Sequence, residues 1–141
     1  MTTLFRYGPK ESYIWFAVNE LAGGAEQPHL EGIFVWNSVH KKFDMLVATG
    51  MNGPGFQEQG SLSVEPDGTV VREITAYFPA GVLGMGMSAE SSKTGTAKFR
   101  QTFKATGPDR ILTTVLRETP KGWVATFPGS DHLVMTRRTK A

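Results

Sequence analysis

Polar residues that fall within apolar runs are the strongest candidates for chemistry in this sequence. Gln101 lies between two phenylalanines in a strictly alternating run, and Arg72 lies between Val70 and Ile74. Residues two apart on a β-strand point to the same face, so both polar side chains are predicted to share a face with apolar neighbours. A buried arginine keeps its charge and therefore needs a carboxylate partner or an anionic ligand.

The turn before Arg72 decides which way it points. Residues 66–68 read Pro-Asp-Gly, a strong hairpin signal, and this turn would set Val64 opposite Val70. Arg72 then points inward, where it pairs with Glu58 or Glu73 or anchors an anionic ligand group. In the alternative register, residues 71, 73, 75 and 77 point inward and Arg72 lies in water. Arg117, in a later alternating run, raises the same question.

Metal and nucleophilic chemistry lack a sequence signature. The histidines His29, His40 and His132 are isolated, with neither His-x-His nor HExxH spacing. The chain contains no cysteine, which excludes thiolate metal sites, disulfides and cysteine nucleophiles. Ser130, Asp131 and His132 are adjacent and cannot form a catalytic triad among themselves. We expect no metal and no cofactor.

Short β-favouring runs, each ended by a turn signal, must position these residues. The first run could also form a helix, because Pro9 could occupy a first turn and Gly23 could cap its end. Its clustered aromatic and β-branched residues favour a strand instead. The predicted strands are 11–20, 30–37, 43–49, 57–65, 69–78, 97–105, 110–118, 123–127 and 133–138.

Nearly all links between these strands are short, which predicts an up-and-down meander rather than a Greek key. The 141 residues include 16 glycines and 8 prolines, together above the average share of roughly 12%, as expected for a fold with many turns. We predict an all-β protein with little helix: a single domain, 1–141, forming an antiparallel up-and-down β-barrel of about 8–10 strands.

The predicted barrel interior is aromatic and rich in methionine, and such a barrel can hold one small ligand. Residues 79–95 form a long glycine-rich connection with several apolar side chains, which predicts a lid over one barrel mouth. The candidate ligand-binding residues are Trp15, Trp36, Met45, Arg72, Met85, Phe99, Gln101 and Trp123.

Three segments carry a resemblance to a known family. They are HLEGIFVWNSVHKKFDML, GSLSVEPDGTVVRE and GWVATFPGSDHLVMTRR, spread over residues 29–138. Their turns and strand ends resemble those of the lipocalin-like β-barrel proteins of the DUF1579 family. The resemblance implies a calycin-like barrel of uncharacterised function, and it implies little about chemistry.

The function predicted is binding of a small, largely apolar or weakly acidic molecule within the barrel. One alternative is a cofactor-independent isomerase, cyclase or dehydratase in the same pocket, with Glu31, Glu73 or Tyr13 as acid or base if that side chain faces inward. A packed barrel that binds another protein is the second alternative. A cavity without a titratable group favours the carrier, one with a carboxylate in apolar surroundings favours the enzyme, and a closed barrel without a cavity favours the interaction module.

Charge and hydropathy limit the partners and the location that we expect. The formal net charge is +2 and the charged residues are scattered, so we expect no nucleic acid as a partner. The longest apolar run is too short to span a membrane, and no secretory signal is visible. We therefore expect a cytoplasmic protein that does not bind membranes, and we leave open a homodimer.

Overall fold

The computed structural model describes residues 2–49, 57–79, 93 and 95–136, and these residues form one antiparallel sheet. A short 3-10 turn, Pro9–Glu11, lies between the first two strands. The strands are β1 (Thr2–Tyr7), β2 (Ile14–Ala22), β3 (Ala25–Asn37), β4 (Lys42–Thr49), β5 (Gln57–Val64), β6 (Val70–Tyr77), β7 (Thr96–Gly107), β8 (Arg110–Thr119), β9 (Gly122–Ala125) and β10 (Leu133–Thr136).

Each strand from β1 to β8 pairs with the next one along the chain, so the predicted up-and-down order is confirmed. All nine predicted strands are present, with shifted ends. The first of them is β2, which is a strand rather than a helix and begins at Ile14. Within the described part of the chain, no helix has the length and apolar character needed to cross a membrane.

Strand β1 is absent from the sequence-based prediction. It pairs along its whole length with β2, from Thr2 opposite Asn19 to Tyr7 opposite Ile14. The run TTLFRY is rich in β-favouring residues and ends at Gly8-Pro9, so the usual signals for a strand and its end were available.

The hairpin between β5 and β6 has the predicted register, with Val64 opposite Val70. Gly68 adopts a φ of 79°, and the turn is closed by a hydrogen bond from Gly68 N to Glu65 O at 2.9 Å. Asp67 Oδ1 accepts a hydrogen bond from Thr69 N, and its Oδ2 lies 2.8 Å from Lys104 Nζ on β7. Asp67 therefore stabilises the turn through Thr69 and links the turn to β7 through Lys104.

The carboxylate of Asp67 makes the free energy of unfolding depend on pH in the acid range. The Lys104 ammonium, followed by the Thr69 amide, holds the pKa of Asp67 below its ordinary value of 3.8. A lowered pKa stabilises the folded state above the unfolded pKa, and this contribution is lost as the pH falls further. We expect the difference in unfolding free energy between wild type and Asp67→Asn to shrink on acidification. Urea titrations between neutral and acid pH measure it, and in a Lys104→Met background the pH dependence should be weaker.

The sheet is not closed into a barrel, which corrects the predicted closed architecture. The pairing path runs from β1 to β10, and no pair joins these two strands among the described residues. The outer edge of β8 is shared by two four-residue strands: β9 pairs near Arg117 and β10 pairs near Ile111. The strand position next to β8 is thus occupied by two short strands, β9 and β10. Together they form no continuous edge with which β1 could pair.

Ser130 fills the gap between β9 and β10. It is fully buried, and its backbone oxygen accepts a hydrogen bond from Val115 N at 2.5 Å. The Ser130 hydroxyl donates to Val115 O at 2.7 Å and accepts from the amides of Thr126 and Phe127. Residues 126–132 therefore depart from the sheet, while the backbone N–H and C=O of Val115 remain hydrogen-bonded.

The core lies on one face of the sheet, here called the inner face. Phe16, Met45, Val47 and Ile74 form its buried cluster, and the strand registers place all four on the same side. Gly32 lies opposite Phe16, and a Cβ there would come within 2.7 Å of the Phe16 ring. Partly buried apolar side chains of neighbouring strands, Val18, Leu30, Phe34 and Phe99, pack against this cluster.

Candidate functional site

An open cavity lies on the inner face of the sheet, across β5 to β8. Its volume is about 160 Å³, close to the ~150 Å³ of an engineered cavity that binds benzene. Most of its wall is apolar, and three polar or charged side chains from neighbouring strands project into it. The lining residues are Glu58, Arg72, Ile74, Ala76, Phe78, Phe99, Gln101, Val115, Thr126 and Phe127.

Arg72 is the centre of a polar network in the cavity wall. Its Nη2 group donates to Glu58 Oε2, and its Nη1 group donates to Gln101 Oε1 at 3.1 Å. The Nε group lies 3.2 Å from Met45 Sδ. The side chains of Arg72 and Glu58 are only 16% and 12% exposed, so this ion pair is largely removed from water.

The register explains how Arg72 reaches two partners on other strands. Arg72 lies opposite Leu62 on β5, whereas Met45 on β4 lies opposite Gly60. The contact between Arg72 Nε and Met45 Sδ therefore spans β5, on which the residue opposite Met45 is Gly60 and carries no side chain. Glu58, two residues from Gly60, lies on the same face and contacts the guanidinium of Arg72.

Four of the predicted ligand-binding residues come together here. Arg72 lies opposite Gln101 and is inward-facing, as the favoured register predicts. Phe99 and Gln101 line the cavity, and Met45 contacts Arg72. The predicted partner Glu58 is confirmed, while Glu73 lies on the other face and pairs with Arg100 at 3.6 Å.

The three tryptophans lie away from this cavity. Trp15 and Trp123 are on the outer face, opposite Arg6 and Glu118 respectively. The guanidinium of Arg6 lies 4.1 Å from the Trp15 ring centroid. Trp36 is on the inner face, but it is half exposed and packs edge-on against a phenylalanine ring of β4. Met85 and most of the predicted lid, residues 79–95, lie outside the described residues.

None of the three predicted acid–base residues lines the cavity. Glu31 accepts a hydrogen bond from Trp15 Nε1 on the outer face, and Glu73 is on the same face. Tyr13 lies over Gly8 and lines a separate outer hollow with Trp15 and Glu31. The condition that one of them faces the cavity is therefore not met, and Glu58 is the carboxylate that lines it.

Arg117 also lies on the inner face, opposite Phe99. Among the described residues, its Nε atom is buried and has no hydrogen-bond partner. The sequence left open an ion pair or a ligand contact for both inward arginines. Of these two arginines, Arg72 alone has a carboxylate partner among the described residues.

The three histidines are far apart in the fold. His29 occupies a bulge in β3, His40 contacts Asn37 in the β3–β4 turn, and His132 contacts its neighbour Asp131 at 2.7 Å. That contact lowers the pKa of Asp131. In the described ranges, no group of three or more histidine, aspartate or glutamate side chains could hold a metal ion.

Several cavity residues were missed by the sequence reasoning. Ile74 and Val115 alternate with Arg72 and Arg117 and were expected on the same face, but they were not among the predicted ligand-binding residues. Thr126 had no such signal, because it belongs to the excursion between β9 and β10. Thr126 Oγ1 is buried and has no hydrogen-bond partner among the described residues.

Comparison with known proteins leaves the site to be interpreted from its own geometry. No family model, curated protein or solved structure matches the chain. The resemblance to DUF1579 proteins therefore stays a prediction.

Proposed function

We propose that the protein binds a small, largely apolar molecule in the inner-face cavity, as a lipocalin-like carrier does. The observation that carries the proposal is the cavity of about 160 Å³, whose wall is mostly aliphatic and aromatic. Ligand sites in proteins commonly combine such walls with a few placed polar groups. Here the polar groups are Arg72, Glu58, Gln101 and Thr126.

The up-and-down sheet with one buried face supports the lipocalin-like interpretation, in which strands surround an apolar interior. Among the described residues, the outer edge of β1 has no pairing strand, and such an edge can pair with a further strand. The homodimer that the sequence left open stays a prediction, which measurement of the mass in solution would test.

A cofactor-independent enzyme is the second candidate, and one observation favours it. Glu58 is a carboxylate in a largely apolar cavity, the arrangement that a general base requires. Its charge is compensated by Arg72, so taking up a substrate proton would break that ion pair. This is why binding, rather than proton transfer, is the function we propose first.

The binding proposal predicts the effect of filling the cavity. We expect fluorobenzene to bind to the wild-type protein, because its size matches the cavity. Val115→Phe places a ring in the cavity wall and should weaken this binding at least ~10-fold, the equivalent of about 1.4 kcal/mol. Fluorine NMR titration of fluorobenzene measures both affinities.

The matched control is Leu112→Phe, on the same strand but on the outer face. It should bind fluorobenzene as the wild type does, and thermal unfolding verifies that both variants are folded. Equal binding by Val115→Phe and Leu112→Phe would place the probe outside this cavity. Native mass spectrometry of protein purified from its own source would then identify any molecule that is retained.

A further inference from the structure

We infer that the cavity selects an uncharged hydrogen-bonding head group, such as an amide or an alcohol, over a carboxylate. This inference rests on the proposed function and specifies the class of ligand. The reason is that the anion-binding position of Arg72 is already filled from within the chain. Glu58 contacts Nη2 of Arg72, and the two opposite charges compensate each other.

A second carboxylate in the cavity would be unfavourable on charge grounds. It would bring two negative groups to one guanidinium in surroundings that are largely apolar. Like charges that share such a site strongly disfavour the ionised state. An acidic ligand would have to bind as the neutral acid or displace Glu58 from Arg72.

The network retains hydrogen-bonding capacity for a neutral group. A guanidinium has five N–H donors, and three of them are used by Glu58, Gln101 and Met45. The second carboxylate oxygen of Glu58 is an acceptor, and the Gln101 amide nitrogen is a donor; neither has a partner among the described residues. A head group that both donates and accepts, as an amide or an alcohol does, matches this set.

The test compares two probes of nearly the same shape, benzamide and benzoate, with fluorobenzene as an apolar reference. Calorimetric titration at neutral pH should give a wild-type affinity for benzamide at least ~10-fold higher than for benzoate, a ratio that corresponds to about 1.4 kcal/mol. The affinity for benzoate should rise as the pH falls and the probe becomes the neutral acid.

Glu58→Gln should remove the preference in this scheme. Glutamine keeps an oxygen that can accept from Arg72 and removes the negative charge, so Arg72 becomes free to bind an anion. Benzoate affinity should rise at least ~10-fold, the factor that corresponds to about 1.4 kcal/mol. Glu73→Gln makes the same change on the outer face and should leave both affinities unchanged.

The outcomes separate the two proposals. If fluorobenzene binds but the wild-type affinity for benzoate equals that for benzamide, the neutral-ligand inference is overturned and the binding proposal stands. A folded Glu58→Gln protein without increased benzoate affinity also overturns the inference. If Glu58→Gln does not fold, the wild-type comparison decides alone. Failure of all three probes to bind would overturn the proposed function itself.

Discussion

Replacement of Arg72 with methionine is expected to lower the free energy of unfolding by about 2–4 kcal/mol, slightly below the 3–5 kcal/mol typical of breaking a fully buried ion pair. The change keeps an apolar stem of similar length and removes the charge. Glu58, which is 12% exposed, would be left without its cation in an apolar cavity. Gln101 Oε1 would also lose its donor. Urea unfolding, compared at equal m-value, measures the effect.

Two further variants show whether the loss comes from the unpaired carboxylate. Arg72→Met combined with Glu58→Leu removes both charges and should recover stability to within about 1 kcal/mol of wild type, since apolar replacement of a buried pair is often neutral. Lys98→Met breaks the exposed pair with Glu118, whose side chains are 59% and 46% exposed, and should change stability by less than about 1 kcal/mol. A loss at Arg72 no greater than that at Lys98 would refute a structural role for the buried pair.

The position of Arg72 could be predicted because two local signals agree. The Pro-Asp-Gly turn fixes the register of β5 against β6, and the period of two then fixes the face of every residue that follows. Arg72 shares its face with Val70 and Ile74 in either of the two hairpin registers considered. The choice between Glu58 and Glu73 as its partner follows from the same rule, since only Glu58 alternates onto the inner face.

The tryptophans show where the alternation of side chains along a strand fails to predict which face is buried. In β2, Ile14 and Phe16 point inward while Trp15 and Ala17 point outward, so both faces carry apolar side chains. A pattern that is apolar on both faces contains no information about which face is buried. Trp15 is accommodated outside by its hydrogen bond to Glu31 and the guanidinium of Arg6.

Closure of the sheet could not be predicted, because it depends on contacts between distant segments. The sequence indicates strands in 123–127 and 133–138, and the structure places β9 and β10 on a single edge of β8. The buried hydroxyl of Ser130 makes that arrangement possible, and a lone serine beside a turn has no distinguishing sequence signal. The break in the last position of the sheet thus lies at this excursion, between two strands that the sequence does predict.

The second large effect is expected at Gly60, where Gly60→Ala should destabilise the protein by about 3 kcal/mol, the upper end for overpacking. A Cβ at this position would lie 1.9 Å from Glu73 O and 2.8 Å from Ile74 Cα. Both are backbone atoms of the adjacent strand, so the contact cannot be relieved by a side-chain rotation. The strands β5 and β6 would have to separate, which would weaken their hydrogen bonds.

Gly107→Ala provides the matched control, because it is also a strand glycine and its added Cβ would meet no atom closer than 4.0 Å. It should change the unfolding free energy by less than about 1 kcal/mol, in line with a residue that gains no steric conflict. Gly60→Ala should also reduce benzamide binding, because the contact between Arg72 and Met45 spans β5, on which Gly60 lies opposite Met45. Equal stability of the two variants would show that β5 and β6 tolerate a side chain at residue 60, and the contact of Arg72 with Met45 across β5 would then need another explanation.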